Sequence, residues 1–240
     1  MTLKKVLFYL GLFVLAAMLT LAVLLYAGIL QINHPSAEKF PVKGVDVSSY
    51  QGDIDWKTLS DQGIRFAYIK ATEGSSMEDR CFCYNWSEAA KTDLRIGAYH
   101  FFSFETSGQT QAENYIRSVK APETMLPPAA DVEPYGKYTE LTPTVLDDLS
   151  VWLRTVETQY GIKPIIYTSN NFYSKIKAAF PTYDIWIRSV YGVPSKQITW
   201  VFWQYSSRMR LDGYSGDERF IDMNVFAGTE EEFRQYGYRS

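Results

Sequence analysis

Apolar and polar positions divide the chain into two regimes. From Val6 to Leu30 there are 25 residues without a charge, preceded by Lys4 and Lys5. From residue 44 onward, short apolar runs alternate with segments of helical periodicity. "GVDVSS" (44–49), "RFAYIKAT" (65–72), "RIGAYHFF" (95–102), "LPPAADVE" (126–133) and "KPIIYTS" (163–169) read as strands. Between them, residues 55–63, 81–92, 108–120 and 142–161 read as helices. Asp55 and Thr142 stand at N-cap positions, Pro143 lies in the first turn, and Gly63 and Gly161 are stop signals. After the fifth strand the alternation loosens. Residues 184–190, 199–206 and 219–226 read as strands with little helix between them, and Thr229 with Glu232 forms a capping-box pattern over 229–237.

Alternation of this kind predicts an α/β fold with parallel strands and right-handed crossovers. Eight strand candidates predict a closed (β/α) barrel, irregular because about five β/α units are followed by strands with few helices. The first segment is long enough to cross a bilayer at ~1.5 Å per residue. Residues 1–30 are therefore read as a cytoplasmic N-terminus and a transmembrane helix, with the lysines inside and the rest of the chain extracytoplasmic. A signal peptide cut near Thr20–Ala22 is the competing reading, but the apolar run outlasts a usual signal core. Residues 31–41, "QINHPSAEKFP", read as a linker. Residues 42–240 read as one folded domain.

Composition narrows the chemistry. A net charge of −3 without any basic run disfavours nucleic acid as a partner. Two histidines, His34 and His100, exclude a multi-histidine zinc site, and a hydrolytic triad would rest on His100 alone. Cys81 and Cys83 read as free thiols that pack rather than react. Aromatic residues make up 16% of the chain, which suits either a ring-rich core or a cleft lined with rings. No motif calls for a metal or a cofactor.

Acidic residues fall at strand ends: Asp46 on the first, Asp131 and Glu133 on the fourth, Asp222 on the eighth. In a barrel, strand ends build the active site. Asp46 and Asp222 have a local alternative as turn formers, beside Ser48 or Ser49 and Asn224 respectively. Asp131 and Glu133 occupy i and i+2 of a strand, so their side chains share a face, ~6.5 Å apart along the backbone. Mutual repulsion makes one hold its proton, as acid-catalysed glycoside cleavage requires. An ion pair with Lys70 or Arg188 is the plain alternative.

The ordered set "GVDVSSYQGDIDW", "YIKATEG", "GAYHFF", "DVE", "IIYTS", "WQY" and "IDMN" resembles glycoside hydrolase family 25, from about Gly44 to about Phe226. The resemblance implies a lysozyme that cleaves the β-1,4 bond between N-acetylmuramic acid and N-acetylglucosamine in peptidoglycan. It implies Glu133 as general acid and Asp131 as an anionic partner for substrate N-acetyl participation. Asp46 and Asp222 would shape the site, and a nucleophilic role for Asp131 or Asp222 stays open. Tyr99, Tyr167, Trp203 and Asn224 are the implied substrate-binding residues. Gln51, Lys70, Glu73 and Gln204 match supporting positions. Arg188 stands where many relatives carry a small residue. The expected partners are peptidoglycan glycan strands and, through the first helix, the membrane; a monomer is the expected state. The alternatives are a catalytically silent wall-binding module and a glycosidase of another N-acetylated glycan.

Overall fold

The computed structural model describes residues 2–120 and 125–237. Its frame is an eight-stranded closed barrel. Seven strands run parallel: β1 (Lys43–Val47), β2 (Phe66–Glu73), β4 (Arg95–Phe101), β5 (Ala129–Val132), β6 (Ile165–Ser169), β7 (Asp184–Arg188) and β8 (Phe202–Met209). The two-residue β3 (Met77–Glu78) hangs on the end of β2 as a short hairpin arm outside the barrel. The eighth barrel strand, β9 (Ile221–Phe226), is antiparallel to both β8 and β1 and closes the ring. This corrects the expectation of parallel strands throughout. Only residues 210–220 separate β8 from β9, with no helix among them. A parallel return needs a crossover of about a dozen residues or more, usually helical, whereas a reversal needs only a loop.

Five helices alternate with the first five barrel strands: α2 (Trp56–Ser60), α3 (Phe82–Ala89), α4 (Gly108–Ser118), α5 (Pro143–Tyr160) and α6 (Asn170–Ala179). The expected caps are present. Asp55 accepts from the Thr58 amide, Thr142 from the Val145 amide, and Gly161 ends α5 at φ 65°. α6 is the helix that periodicity missed. It follows β6 without a capping bond and buries only Phe172 and Ile176, so its apolar stripe is too narrow to announce itself. Cys81 is half-buried, whereas Cys83 is exposed and points its thiol at Glu78, so only the first contributes to packing.

Alternation along the strands fills the barrel in layers. The floor is aromatic: Phe66 lies 5.0 Å from Phe202 and 5.5 Å from Phe233, ring centre to ring centre. Phe233 comes from α7 (Glu230–Gln235), whose capping box of Thr229 and Glu232 forms as the sequence predicts. Above it, Tyr68 stacks on Trp186 at 4.7 Å. Two glycines admit these rings. A Cβ on Gly44 would lie 2.4 Å from the Phe66 ring, and one on Gly97 would lie 2.4 Å from Tyr68. Both positions face inward, so any side chain there would displace an aromatic layer.

Before the barrel comes α1 (Leu3–Tyr26), long and apolar enough to cross a membrane and with none of its residues buried. Residues 31–41 do not behave as the expected linker. Asn33 is buried and donates to the carbonyls of Ser189 (3.0 Å) and Tyr205 (2.8 Å). Phe40 packs its ring on Trp200 and Trp203. The segment is tied to the outside of the barrel by these contacts, with Asn33 supplying donors to one carbonyl just past β7 and one within β8.

Candidate active site

The same inward alternation that stacks rings on the floor puts polar side chains at the mouth. One step above Gly44, Tyr68, Gly97, Ala129, Ile165 and Trp186 come Asp46, Lys70, Tyr99, Asp131, Tyr167 and Arg188. A cleft of about 500 Å³ opens here, lined by Asp46, Asp131, Glu133 and Asp222 together with Tyr50 and Tyr135. Its deeper part, about 110 Å³, reaches Tyr99, Tyr167, Trp186 and Gln204. All four predicted acids thus meet in one place.

Asp222 arrives there by a route the sequence reading did not foresee. It is the second residue of β9, near the strand's beginning rather than its end. Because β9 runs in reverse, its beginning lies at the mouth. Asp222 is registered directly opposite Asp46, and side chains so paired share a face. Burial and the Asp46 charge push the Asp222 carboxyl well above its ordinary range. Asp46 is raised by burial, but hydrogen bonds from Asn224, Gln204 and Asp222 oppose the rise. Of the two, Asp46 has the donors that favour its ionised form, whereas Asp222 is the one pushed further toward its protonated form.

Asp46 is held by a continuous relay. Asn224 Nδ2 donates to its Oδ2 at 2.7 Å, and Gln204 Nε2 reaches both oxygens at 3.2 and 3.0 Å. The Tyr167 hydroxyl donates to Gln204 Oε1 at 3.0 Å, and Trp186 Nε1 donates to Asn224 Oδ1 at 2.7 Å. The indole can only donate, which orients the Asn224 amide and aims its N–H₂ at Asp46. Asn224 is fully buried, so it positions Asp46 from below instead of meeting a ligand, contrary to expectation.

Asp131 and Glu133 differ from that well-furnished pair. Asp131 is 8% exposed, and its Oδ1 is buried without a hydrogen-bond partner among the described residues. Burial, then the neighbouring Glu133 charge, raise its carboxyl well above the ordinary range, with Lys70 opposing. Glu133 is less enclosed; burial raises it too, and the Arg188 guanidinium opposes. In the open cleft the larger shift thus belongs to Asp131, the reverse of the expected division. Lys70 is not free to neutralise either acid completely, since its ammonium pairs with Glu73 at 2.7 Å and lies 5.2 Å from the Phe101 ring centre.

Tyr99 and Tyr167 line the cleft as expected. Trp203 does not. It is one residue out of phase with Gln204, so it points outward from the barrel, packs on Phe40 and Trp200, and donates to the Ser189 carbonyl. The tryptophan at the cleft is Trp186, which sequence reading missed although "DIWIR" carries the alternation that turns it inward. His100 also faces outward. It is fully buried, hydrogen-bonded to Thr72 and Gln111, and stacked on Trp152. Burial pushes it down to about 4, so it is neutral at pH 7 and apart from the cleft.

Known proteins share this arrangement. The structure of a family 25 glycosyl hydrolase from Bacillus anthracis superposes with a TM-score of 0.80 at 48% identity, covering 87% of this chain and 98% of that one. A lysozyme from Streptomyces coelicolor superposes with a TM-score of 0.70 at 29% identity, covering 82% and 96%. In sequence, Lysozyme M1 of Streptomyces globisporus is 31% identical over 211 residues, covering 80% of this chain and 70% of its own length. The profile described as Glycosyl hydrolases family 25 matches residues 45–214. With its barrel, its acid-lined mouth and these relatives, the chain belongs to glycoside hydrolase family 25 and is a glycoside hydrolase.

Proposed function

We propose that the protein is a membrane-anchored N-acetylmuramidase that hydrolyses the β-1,4 bond between N-acetylmuramic acid and N-acetylglucosamine in peptidoglycan. Relatives named lysozyme and N,O-diacetylmuramidase support the substrate class. The observation that carries the mechanism is the buried, unpartnered Oδ1 of Asp131 beside Glu133. A buried acceptor without a donor costs about 1–3 kcal/mol, so it is a place prepared for a donor that arrives with the substrate. An acetamido N–H supplies one.

In this reading the amide N–H donates to Asp131 Oδ1 and favours its ionised form. The proton that burial favours on Asp131 before substrate binds then passes to the more exposed Glu133. Glu133 gives it to the glycosidic oxygen as the C1–O bond breaks. The acetamido carbonyl oxygen bonds to C1 from the other side, and the positive charge of the resulting oxazolinium rests beside the Asp131 anion. Water then adds at C1, the oxazolinium ring opens, and Glu133 takes the water's proton; as product leaves, that proton returns to Asp131 and the starting pair is restored. Asp46, held by Asn224 and Gln204, fixes the opposite wall and keeps the local field negative.

Placement across the membrane is supported by the length and exposure of α1 and by Lys4 and Lys5 at its start. Digestion of purified peptidoglycan by the full chain in detergent, borohydride reduction of the products and mass spectrometry test the activity. Reduced muramic acid ends are expected. Reduced glucosamine ends would mean a different bond, and wall binding without products would mean a binding module.

A further inference from the structure

The end of α1 is fastened to the barrel. Arg208 donates to the Tyr26 carbonyl through Nε (3.2 Å) and Nη2 (2.8 Å), and Arg210 Nη2 donates to the Ala27 carbonyl at 2.7 Å. The last four carbonyls of a helix lack partners of their own, and cations suit that end of the dipole. Gln31 Nε2 bridges the carbonyls of Gly28 and Arg208 at 3.0 Å each, and the Ser206 hydroxyl donates to Gln31 Oε1. Gly28, at φ 68°, turns the chain so tightly that a Cβ there would lie 2.4 Å from the Arg208 carbonyl oxygen. Asn33 adds the two bonds already described. An extended eleven-residue tether would let the domain travel as much as about 40 Å; this segment is spent on contacts instead.

The fastening lies at the catalytic end. Arg208 is the last residue but one of β8, which runs parallel to β7, so it sits on the side of the mouth. Ser207 lines both the acid-lined cleft and a second hollow of about 300 Å³ at the helix exit. From Gln204, which holds Asp46, to Arg208 is four strand residues, roughly 13 Å. The surface around the exit is that of an interfacial collar. Tyr191 and Val193, on the loop after β7, are 82% and 74% exposed, and Ile29 and Ile32 are also exposed. The guanidiniums of Arg208, Arg210 and Arg219 surround the Phe220 ring at 4.8, 5.5 and 5.1 Å. Exposed aromatics and arginines with apolar stems are the residues that settle at headgroup level.

We propose that this collar binds the phospholipid headgroups of the outer leaflet. The barrel then stands with its cleft at the membrane surface, and the glycan it cuts is the strand lying against the membrane, not the distant wall. The proposal rests on the anchored-hydrolase reading above and adds an orientation to it.

The test uses the full chain with Cys81→Ser and Cys83→Ser, in vesicles of phosphatidylcholine and phosphatidylglycerol containing a headgroup quencher. A fluorophore is placed on a single cysteine at Val193, at Tyr50 on the cleft rim, or at Lys91 beyond the C-terminus of α3 on the opposite face. Quenching should be strongest at position 193, intermediate at 50 and absent at 91; any other order overturns the proposal. Arg208→Ala with Arg210→Ala should abolish the difference between positions 50 and 91 while cleavage of short soluble glycan is unchanged. A difference that survives the double substitution removes the arginines' role. Lipid-linked glycan in the same vesicles should be cut roughly tenfold or more faster than isolated wall fragments by the parent protein, as tethering at a surface raises local concentration. Equal rates would overturn the substrate claim. Quenching is read without turnover: the expected order without any hydrolysis defeats the enzymatic reading alone, and failure to co-float with vesicles defeats the anchor and the orientation together.

Discussion

The floor and the mouth of the barrel are built by the same alternation of side chains yet solve opposite problems. At the floor, Phe66, Phe202, Phe226 and Phe233 contact one another and no inward group there needs a proton. At the mouth, three aspartates and Glu133 crowd into a cleft, all with raised carboxyls, and one oxygen of Asp131 has no partner among the described residues. The floor is optimised for stability. The mouth gives up stability to hold charge in a low-dielectric place, where charge acts most strongly on a reacting bond.

Substitutions can break this contrast. The largest effect belongs to Glu133→Gln, which should lower turnover of peptidoglycan about 10³-fold, as loss of a general acid does, with the melting temperature unchanged; full activity would sink the assignment. Asn224→Ala touches both regions, because it strips a partner from Trp186 below and from Asp46 above. It should cost about 2–3 kcal/mol in denaturant unfolding and reduce activity as well. Gly44→Ala acts on the floor alone. Its new methyl must displace Phe66, at about 1–3 kcal/mol of overpacking, and the pH profile of the surviving enzyme should not move.

Smaller effects sharpen the comparison through pH. A carboxyl raised in the folded state binds more protons there than in the unfolded chain, whose carboxyls titrate near 4. Asp131 therefore contributes stability below that range that is lost as pH rises through its folded value. Asp131→Asn should flatten this slope in a plot of melting temperature against pH. His100 runs the other way: lowered to about 4 in the fold, it contributes stability above its unfolded value of about 6.5 that is lost as pH falls toward 4. The smallest change is expected from Arg188→Ala. Arg188 opposes the rise of Glu133, so its loss should move the basic limb of kcat/KM to higher pH.

Much of this architecture could be read before any coordinates. Most strand and helix positions follow from periodicity, and three of the four acids stand out by their place at strand ends. The misses have physical causes. A run such as "RFIDMNVF" has the same pattern in either direction, so nothing local says that β9 is reversed; Asp222 reached the mouth from the strand's start. Trp203 and Gln204 are adjacent, and only register decides which one looks inward. Asn224 lies on the inward face but one layer too deep to meet a ligand. The polar run 31–41 resembled a linker because its partners, carbonyls just past β7 and within β8, are backbone groups that no side-chain pattern displays.

The reversal of β9 also decides where the polypeptide leaves the barrel. Had the last strand run with the others, the chain would have emerged beside the cleft, and whatever followed would have crowded a long glycan. Running downward, it delivers α7 to the floor as a plug. A fluorescent reporter or affinity tag joined after Gly237 would consequently hang on the far side from the substrate, leaving the route of an extended sugar polymer across the opening unobstructed.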